Sequence, residues 1–343
     1  MNQYIINQDA TIKDALVVIN EIIHEGESLL VVDDEKHMVG SLTDGDIRRG
    51  LIGGAQLSDL VSKVMHRSFK YILQSEFDVA ALKKFRDGRV LFIPVLDEEK
   101  HIVDVVNLQK YKSVLPIDAV LMAGGKGERL RPLTEKTPKP LLTVGDKCII
   151  DHNVDRLLSY GVKHINVTVN YLREQIEQHY ENPRNGVKVN TVREPKYLGT
   201  IGSIKFVADF HNDTVLVMNS DLFTNIDYED FLLHFKMHEA DMSVAAVPYN
   251  VSIPYGILDL SGREIKGLIE KPKYNYYVNA GIYLIKRDVL DQIPDGVFFN
   301  ATDLIEKLIA EGKKVIRYPL NGTWIDIGNP QEYQKANDLV KHM

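Results

Sequence analysis

The sequence predicts an α/β protein in two parts, a pair of short repeats followed by a mostly parallel sheet with helices on both faces. Three observations predict this fold class. Two acidic turn segments match at a fixed distance in the first third of the chain, and apolar strand-like runs alternate with helical stretches after Ile117. No run approaches the ~18 apolar residues of a membrane span. Strands that alternate with helices form parallel sheets covered on both sides.

The overall composition limits the classes of function. The chain has 343 residues, 44% of them hydrophobic, with a formal net charge of −7 and a pI of about 5.9. This length suits two domains, and the acidic balance argues against nucleic acid as a partner. Cys148 is the one cysteine, so no intramolecular disulfide can form. With no basic leader in "MNQYIINQDATIKDALV", we expect a cytoplasmic protein without a membrane partner.

The first part is an internal repeat. "VDDEKHMVG" at residues 32–40 returns as "LDEEKHIVD" at residues 96–104, an offset of 64. The same offset places "TIKDALVVINE" (11–21) over "SEFDVAALKKF" (75–85). Each copy predicts a polar N-cap, an amphipathic helix, an apolar strand, an acidic turn and a second strand. We therefore predict one domain over residues 1–115 and a second over residues 117–343.

The first copy closes in "GSLTDGDIRRG", which resembles a CBS motif. In that family a Thr and an Asp three positions later hold the ribose and phosphates of an adenine nucleotide, which implies a regulatory role for Thr43 and Asp46. The second copy has Asn107 and Lys110 at these positions. The resemblance implies that residues 1–115 are a tandem CBS pair (a Bateman domain). Two interpretations of this pair remain, an adenine-nucleotide sensor and a structural dimerisation module without a ligand. The resemblance implies a homo-oligomer.

The second part reads as an open α/β sheet. Strands are predicted at "DAVLMAGG", "HINVTVN", "VKVNTVRE", "TVLVMNSD" and "DMSVAAVP". Helices are predicted at "IIDHNVDRLLSYG", "LREQIEQHY", "YEDFLLHFKMHEA", "ATDLIEKLIAEG" and "NPQEYQKANDLVKHM". Segments after Pro248 are strand-rich, at "YGILDL", "EIKGLIEKP" and "YVNAGIYLI", and predict an antiparallel addition to the sheet.

The stretch "LMAGGKGERLRPLTEKTPKPLL" (121–142) joins a buried strand to a glycine-rich, basic loop. Bare backbone of this kind can approach a phosphate closely and donate N–H groups to it. A dinucleotide-binding fingerprint starting at Gly125 fails, because Leu130 occupies its last glycine position. A Walker loop also fails, because no Gly-Lys-Ser/Thr closes it.

The longer pattern G-G-x-G-x-R-L-x-P-L-T-x-x-x-P-K-P-L resembles the signature of sugar-1-phosphate nucleotidyltransferases, most closely the guanylyltransferase branch. This resemblance implies a Rossmann-like, GT-A-like domain. It also implies that Arg129 holds the departing pyrophosphate and that Lys139 contacts the phosphates at the reacting centre. The implied nucleotide contacts are Leu121, Ala123, Gly124, Gly125, Lys126, Gly127, Arg129, Lys139, Glu194, Gly199, Thr200, Gly202 and Asp221.

Two acidic residues are implied as ligands of Mg²⁺, the expected cofactor. Asp221 ends the apolar run "TVLVMNSD", at the edge where α/β sheets place ligands. Asp326 lies in "TWIDIGNP", similar to the late W-x-D-x-G segment of the family. Carboxylates with phosphate oxygens and water suit this ion.

Base and sugar contacts are implied by further segments. "REPKYLGTIGS" (193–203) is similar to the loop that lies beside the nucleobase, and its L-G-T-x-G form favours a guanylyl-type enzyme. The implied sugar contacts are Tyr255, Gly256, Glu270, Lys271, Asn279 and Gly281, with Lys271 on the sugar phosphate. The implied catalytic set is Arg129, Lys139, Asp221, Lys271 and Asp326.

The arrangement as a whole resembles the CBS-fused glucosamine-1-phosphate guanylyltransferases of legionaminic acid biosynthesis. It implies transfer of a nucleotidyl group from GTP to glucosamine 1-phosphate. Alternatives within this enzyme class are mannose- or heptose-1-phosphate guanylyltransferases and glucose-1-phosphate uridylyl- or thymidylyltransferases. Alternatives outside it are a regulatory subunit that binds a nucleotide sugar and an adenylate sensor with a C-terminal effector domain.

Overall fold

The structure of the chain is a computed structural model that describes residues 2–22 and 28–341. These residues form two compact units. The first runs to Val114 and includes Ser159–Gly161, and the second holds the other residues from Leu115 onwards. Residues 1 and 342–343, the outermost residues of the two predicted domains, lie outside the described residues.

The first unit contains two copies of one strand–helix–strand–strand arrangement. Its elements are β1 (Ile5–Asn7), α1 (Ile12–Glu21), β2 (Ser28–Val32), β3 (Met38–Thr43), α2 (Asp44–Ile52), β4 (Ile72–Leu73), α3 (Val79–Asp87), β5 (Phe92–Leu96) and β6 (Ile102–Asn107). They form two three-stranded sheets, β1-β2-β3 and β4-β5-β6. Both have a register shift on the middle strand, between Val31 and Val32 in one and between Val95 and Leu96 in the other.

The repeat offset differs between the strands and the helices. β5 and β6 begin 64 residues after β2 and β3, as predicted. The helix caps are Thr11 and Asp78, however, which are 67 residues apart. The expected match of residues 11–21 with residues 75–85 is therefore wrong by three positions, because the second copy passes from its helix start to the next strand three residues sooner. Ser75, the expected cap, instead donates a hydrogen bond to Glu98 at 2.6 Å.

Each copy buries its own apolar cluster. The cluster of the first copy includes Ile12, Leu29 and Leu42, and that of the second includes Leu82 and Ile93. A third cluster, formed by Leu30, Met38 and Leu96, contains residues from both copies. The matching acidic turns also meet, because the rings of His37 and His101 lie 4.7 Å apart.

The second unit begins with the strand that leads into the glycine-rich loop. Its elements are β7 (Asp118–Ala123), β8 (Thr143–Val144), β9 (Lys147–Cys148), α4 (Ile149–Ser159), β10 (His164–Val169), α5 (Arg173–His179), β11 (Val189–Arg193), β12 (Thr214–Asn219), β13 (Leu222–Thr224), α6 (Tyr228–Met237), β14 (Met242–Ser252), β15 (Ile257–Ser261), β16 (Glu264–Ile269), β17 (Lys273–Lys286), α7 (Ala301–Ala310), β18 (Val315–Pro319), β19 (Trp324–Asp326) and α8 (Pro330–Val340).

A seven-stranded sheet in the order β11-β10-β7-β12-β17-β14-β18 forms the centre of this unit. Only β17 runs opposite to the other strands. Val215 and Val217 of β12 pack in the cluster that includes α7, and Leu216 and Met218 are also buried. The sheet is thus covered on both faces, and the predicted fold class is confirmed. No helix within residues 2–22 and 28–341 combines the length and apolar character needed to cross a bilayer.

Three two-stranded sheets accompany the central sheet, namely β8–β9, β13–β19 and β15–β16. The pair β13–β19 is antiparallel and follows directly from the end of β12. A cluster of Leu130, Ile149, Phe223, Ile325 and Ile327 packs around it. This pair therefore connects the end of β12, the basic loop and the last strand of the chain.

Candidate active site

The glycine-rich loop leaves the carboxyl end of β7, and its glycines are needed for different reasons. A Cβ atom on Gly124 would lie 2.5 Å from Oε2 of Glu194, whereas one on Gly125 would meet nothing within 4 Å. Gly127 has a φ of 62° in the left-handed region, and its carbonyl accepts a hydrogen bond from Thr134 at 2.8 Å. The loop therefore turns back at Gly127 and leaves the backbone at Gly125 facing open space.

A cavity of about 650 Å³ opens beside this loop. Its lining contains eleven of the thirteen implied nucleotide contacts, namely Ala123, Gly124, Gly125, Lys126, Gly127, Arg129, Lys139, Glu194, Gly199, Thr200 and Asp221. Leu121 lies outside the lining because its side chain is fully buried in the middle of β7. Gly202 also lies outside, where a Cβ atom would stand 3.0 Å from Leu198 and from the carbonyl oxygen of Val297.

Lys139 and Asp221 form an ion pair in this cavity. Lys139 begins a short 3-10 helix between Pro138 and Pro140, and its side chain is only 10% exposed. Its ammonium group donates to Oδ2 of Asp221. The other oxygen, Oδ1, is buried and has no hydrogen-bond partner among the described residues. A buried carboxylate oxygen without a donor is costly unless a further group neutralises it.

The pairing of β13 with β19 brings the second implied metal ligand to the first. Leu222, the neighbour of Asp221, lies opposite Asp326. Burial raises the pKa of Asp326, the charge of Asp221 raises it further, and Lys139 and Arg129 lower it. The charges of Asp221, Lys139 and Arg129 thus all act on Asp326.

Gly328 makes room for Arg129. A Cβ atom on Gly328 would lie 3.0 Å from Nη2 and 3.3 Å from Cζ of the Arg129 guanidinium. This glycine also lines the cavity. Only Asp326 of the W-x-D-x-G segment was predicted as a site residue, although Gly328 belongs to the same motif.

Helix α4 fixes the backbone on both sides of Asp221. Asn153 is 1% exposed, and its amide nitrogen donates to the carbonyl oxygens of Ser220 at 3.5 Å and Leu222 at 2.7 Å. This positioning residue was not predicted, because an Asn inside an amphipathic helix belongs to no motif.

The segment from Glu194 to Thr200 forms the opposite wall of the cavity. Glu194 is 2% exposed, its Oε1 accepts a hydrogen bond from the backbone N of Leu198, and its Oε2 faces Gly124. Burial raises the pKa of Glu194, while hydrogen bonds from Leu198 and Asn170 lower it. A carboxylate is thus held against the glycine loop, where no cationic side chain contributes to its pKa shift.

The start of α7 holds the end of this segment. Gly199 has a φ of 81°, and a Cβ atom there would lie 2.6 Å from the carbonyl oxygen of Phe299. The backbone N of Thr200 donates to Oδ1 of Asn300 at 3.2 Å, and the Thr200 hydroxyl accepts from the N of Ala301 at 2.9 Å. Thr200 lines the cavity as implied, and it also caps the helix.

The implied sugar contacts divide into two groups. Asn279 and Gly281 are joined by a 2.9 Å hydrogen bond, and Gly281 packs against Asn219, which lines the cavity. Tyr255, Gly256, Glu270 and Lys271 flank the exposed hairpin β15–β16 and are not part of the cavity lining. Within that group, a Cβ atom on Gly256 would stand 2.9 Å from Oε2 of Glu270.

Several cavity residues were not predicted. They are Met122, Glu128, Pro140, Thr168, Asn170, Tyr197, Ser203, Asn219, Ser220 and Gly328. Most of them lie at strand ends or in loops next to predicted positions. Pro140 and Gly328 belong to the motifs quoted above. Most of the others have ordinary residue types outside any motif, and only the tertiary structure identifies them.

Thr43 and Asp46, the implied regulatory residues, form the capping box of α2. The Thr43 hydroxyl accepts from the Asp46 N at 3.1 Å, and the Asp46 carboxylate accepts from the Thr43 N at 2.9 Å. Burial raises the pKa of Asp46, but hydrogen bonds from Thr43 and Arg49 outweigh it and the pKa is lowered. The structure thus gives both residues a role in the start of α2.

Cys148 is partly buried rather than part of the core, in a group with Asp151 and His179 whose ligand atoms lie within 4.8 Å of one another. The Asp151 carboxylate already accepts from His179 at 3.0 Å and from Tyr180 at 2.9 Å, and it pairs with Arg184 at 3.2 Å. These contacts satisfy the buried Asp151 carboxylate, so its burial gives no reason to place a metal ion there.

The chain is similar in sequence to several named proteins. A Sulfolobus acidocaldarius protein, provisionally named mannose-1-phosphate guanyltransferase, is 32% identical over 225 residues, which are 64% of this chain and 62% of that protein. The bifunctional protein GlmU of Methanococcus maripaludis is 31% identical over 65% of this chain and 54% of its own length. The match therefore spans less than two thirds of either relative.

A solved structure has the same fold. HddC from Yersinia pseudotuberculosis superposes with a TM-score of 0.50 at 25% identity, over 65% of this chain and 99% of that protein. The matched share corresponds to the size of the second unit, which is consistent with the sheet and loops described above.

Family models match the first repeat copy and the second part of the chain. A CBS domain model matches residues 2–53, which contain the first repeat copy and the Thr43–Asp46 capping box. A model described as nucleotidyl transferase matches residues 118–342, well over half of the chain. The prediction of a CBS domain in front of a nucleotidyltransferase domain is confirmed at this level. The chain belongs to the nucleotidyl transferase family.

Proposed function

We propose that this chain transfers a nucleotidyl group from GTP to a sugar 1-phosphate, with glucosamine 1-phosphate as the preferred acceptor, and releases pyrophosphate. One observation carries the proposal. A single cavity combines the bare backbone of the glycine loop with Arg129, Lys139 and Asp221, and Asp326 lies beside them on β19.

The chemistry requires such a site. An oxygen of the sugar phosphate forms a bond to the α-phosphorus of the triphosphate, and the bond from that phosphorus to the bridging oxygen breaks as pyrophosphate leaves. The attacking oxygen is already anionic, so the reaction needs no strong general base. It needs two polyanions held in line and charge stabilised on the leaving group. Lys139 and Arg129, which both line the cavity, would serve these needs as cations.

Asp221 and Asp326 would hold Mg²⁺. The Oδ1 of Asp221 is buried without a hydrogen-bond partner among the described residues, and the pKa of Asp326 is raised although Lys139 and Arg129 lower it. Both observations favour a further positive group at these carboxylates. Both are hard oxygen donors of the kind this ion prefers. When bound, the ion supplies positive charge to the phosphate oxygens.

Glu194 supports guanine as the base. Guanine presents N1–H and the 2-amino group side by side, and a carboxylate can accept from both. Uracil and thymine present one N–H between two carbonyl oxygens, which a carboxylate would repel. Adenine and cytosine place an amino group beside an unprotonated ring nitrogen. The Oε2 of Glu194 lies beside the glycine loop, within the same cavity. The name of the Sulfolobus relative, a guanyltransferase, agrees with this choice.

The acceptor rests on the resemblance described above, with Glu270, Lys271 and Asn279 as the proposed sugar contacts. Under this proposal the product is a GDP-sugar for surface-glycan or legionaminic acid synthesis in the cytoplasm. Mannose 1-phosphate is the second candidate, because the Sulfolobus relative is named for that substrate. The CBS pair would bind an adenine nucleotide near Thr43 and Asp46 and join two chains.

Pyrophosphate release tests this proposal. The full chain is incubated with each of the four nucleoside triphosphates and a panel of sugar 1-phosphates, with and without Mg²⁺. We expect turnover with GTP and glucosamine 1-phosphate, and dependence on Mg²⁺. Asp221→Asn should lower kcat at least 100-fold because it removes one of the two negative charges at the metal site.

The control is Asp209→Asn, an exposed acid outside the cavity, and it should leave turnover unchanged. Wild-type rates in Asp221→Asn would contradict the metal role. No pyrophosphate from any pair of substrates would leave the nucleotide-sugar-binding subunit as the better description. Turnover with mannose 1-phosphate alone would replace the proposed acceptor.

A further inference from the structure

Two large aromatic side chains stand exposed next to the cavity. Tyr197 is 53% exposed and lines the cavity, and Phe298 is 54% exposed. Their ring centroids are 5.8 Å apart with an interplanar angle of 63°, an edge-to-face contact. Aromatic rings of this size bury most of their surface when a partner is available. This pair therefore offers unused apolar surface at a polar cavity.

Backbone hydrogen bonds join the two segments that carry these rings. Phe299 N donates to the carbonyl oxygen of Leu198 at 2.9 Å, and Ile201 N and Gly202 N donate to the carbonyl oxygen of Phe299 at 3.2 and 3.1 Å. These bonds join residues 198–202 to the segment after Phe298. A surface that is ordered before its ligand arrives loses little conformational entropy on binding.

Tyr197 lies three residues after Glu194, the proposed acceptor for the base. Burial raises the pKa of Tyr197, and the negative charge of Glu194 raises it further. A base that donates hydrogen bonds to Glu194 would bring its flat face near this ring. Phosphates need cations and N–H groups, which lie on the glycine-loop side of the cavity, so the aromatic side suits the base.

We propose that Tyr197, supported edge-on by Phe298, stacks on the purine base of the bound nucleotide and contributes to the preference for purines. The inference rests on the proposed function and adds a base-binding residue to it. Base–aromatic stacking depends on the area of the overlapping rings, and a purine offers more area than a pyrimidine. Glu194 would then select guanine among the purines.

Binding measurements on the full chain test the proposal. Affinity for GTP is measured by calorimetry without acceptor, and affinity for tripolyphosphate, which has no base, is measured the same way. Tyr197→Ala should weaken GTP binding about tenfold, while tripolyphosphate binding stays unchanged. Tyr197→Phe should retain GTP affinity within about twofold, and Phe298→Ala should lose less than Tyr197→Ala. In turnover, the KM for GTP should rise in Tyr197→Ala with little change in kcat.

Tyr249→Ala is the matched control, because this tyrosine is 57% exposed and lies outside the cavity lining. It should change neither affinity. Unchanged GTP binding in Tyr197→Ala would overturn the stacking role alone, and so would an equal loss of GTP and tripolyphosphate, since that would indicate general distortion of the cavity. Absence of GTP binding by the unsubstituted chain would overturn the proposed function together with this inference.

Discussion

At Gly124 and Gly125 a side chain would meet different surroundings. The missing Cβ of Gly124 is replaced by the Glu194 carboxylate, with Asn170 also 3.3 Å away. The missing Cβ of Gly125 leaves open space. The first glycine is therefore required by the folded protein itself, and the second is required only if something must approach the backbone.

This difference predicts opposite behaviour for two alanine substitutions. Gly124→Ala should destabilise the ligand-free protein by about 1 to 3 kcal/mol, because Glu194 must move. Gly125→Ala should leave the ligand-free stability within about 0.5 kcal/mol and yet weaken nucleotide binding. Urea unfolding and calorimetry measure the two effects. Equal loss of stability in both variants would contradict the geometry of the loop.

The cavity residues divide clearly by whether the sequence could reveal them. Gly124, Lys139 and Asp221 carry chemistry in a recognisable order, so the motif identified them. Asn153 acts through hydrogen bonds to two carbonyl groups that lie 67 and 69 residues away in the chain. Tyr197 has an ordinary residue type, and its exposure beside a cavity is a property of the folded chain. Neither could be found without tertiary structure.

Helices α2 and α3 begin in different ways. α2 follows the last strand of the first repeat copy, whereas α3 precedes the middle strand of the second copy. α2 starts from the reciprocal capping box of Thr43 and Asp46. α3 starts from Asp78, whose side chain makes no capping hydrogen bond. In the second copy, Asn107 and Lys110 replace the box residues, and a turn rather than a helix follows β6. Loss of the box thus coincides with loss of the helix.

Alanine substitution of the two N-cap residues should therefore lower the free energy of unfolding by different amounts. Thr43→Ala should lower the free energy of unfolding of the first unit by about 1 kcal/mol, since it leaves the N–H of Asp46 without its acceptor. Asp78→Ala should change it by less than about 0.5 kcal/mol. Urea unfolding followed by circular dichroism measures both. Equal losses would show that the box does not stabilise α2.

Helices and strands were predicted correctly where their own apolar pattern was clear. The position of a helix was predicted wrongly where it was inferred from its distance to another element across a loop. The apolar runs that end at Ala123 and Asn219 became β7 and β12, because buried parallel strands need continuous apolar residues. The helix of the second repeat was predicted three residues too early. The offset of 64 found in the acidic turns was applied to the helix as well, although the connection between helix and strand differs in length between the two copies. Sequence offsets are reliable only within an uninterrupted element.

At the scale of the whole molecule, the described carboxylates whose pKa departs from the ordinary value include two electrostatic classes. Asp155 is typical of the first class, since burial raises its pKa but hydrogen bonds from Arg184 and Lys147 outweigh it, and the pKa is lowered. Glu194 and Asp326 form the second class, with raised pKa values dominated by burial. The first class stabilises the folded chain when ionised, and the second class opposes folding when ionised.

The two classes predict opposite effects of pH on matched amide variants. Glu194→Gln should stabilise the ligand-free protein at pH 7, and this gain should shrink as the pH falls towards the ordinary value of 4.5, because the folded protein takes up a proton there. Asp155→Asn should destabilise it at pH 7, and that loss should shrink only below the ordinary value of 3.8.

Urea unfolding at several pH values measures these differences. If Glu194→Gln destabilised the ligand-free protein at pH 7, burial would not be the dominant influence on this carboxylate. If the difference in unfolding free energy between Asp155→Asn and the unsubstituted protein vanished well above pH 3.8, the ion pairs of Asp155 would contribute less than the structure indicates.

The general architecture was the most predictable property, because alternation of strands and helices specifies a parallel sheet whatever the loops do. The antiparallel addition was also expected from the strand-rich segments after Pro248, and β14 with β17 provides it. The strands β15 and β16 were predicted from "YGILDL" and "EIKGLIEKP", but they pair only with each other, and Leu260, Ile265 and Leu268 are more than half exposed. That exposure was not predicted, because alternation of apolar residues does not reveal which face is covered.

The pairing of β19 with β13 has a practical consequence. Trp324, the one tryptophan of the 343-residue chain, starts β19 two residues before Asp326, and its indole N–H donates to the carbonyl oxygen of Ala280 at 2.9 Å. All ultraviolet emission excited at 295 nm therefore originates beside the acidic pair. A red shift of that emission would report separation of the two strands, without any label and without interference from the first unit.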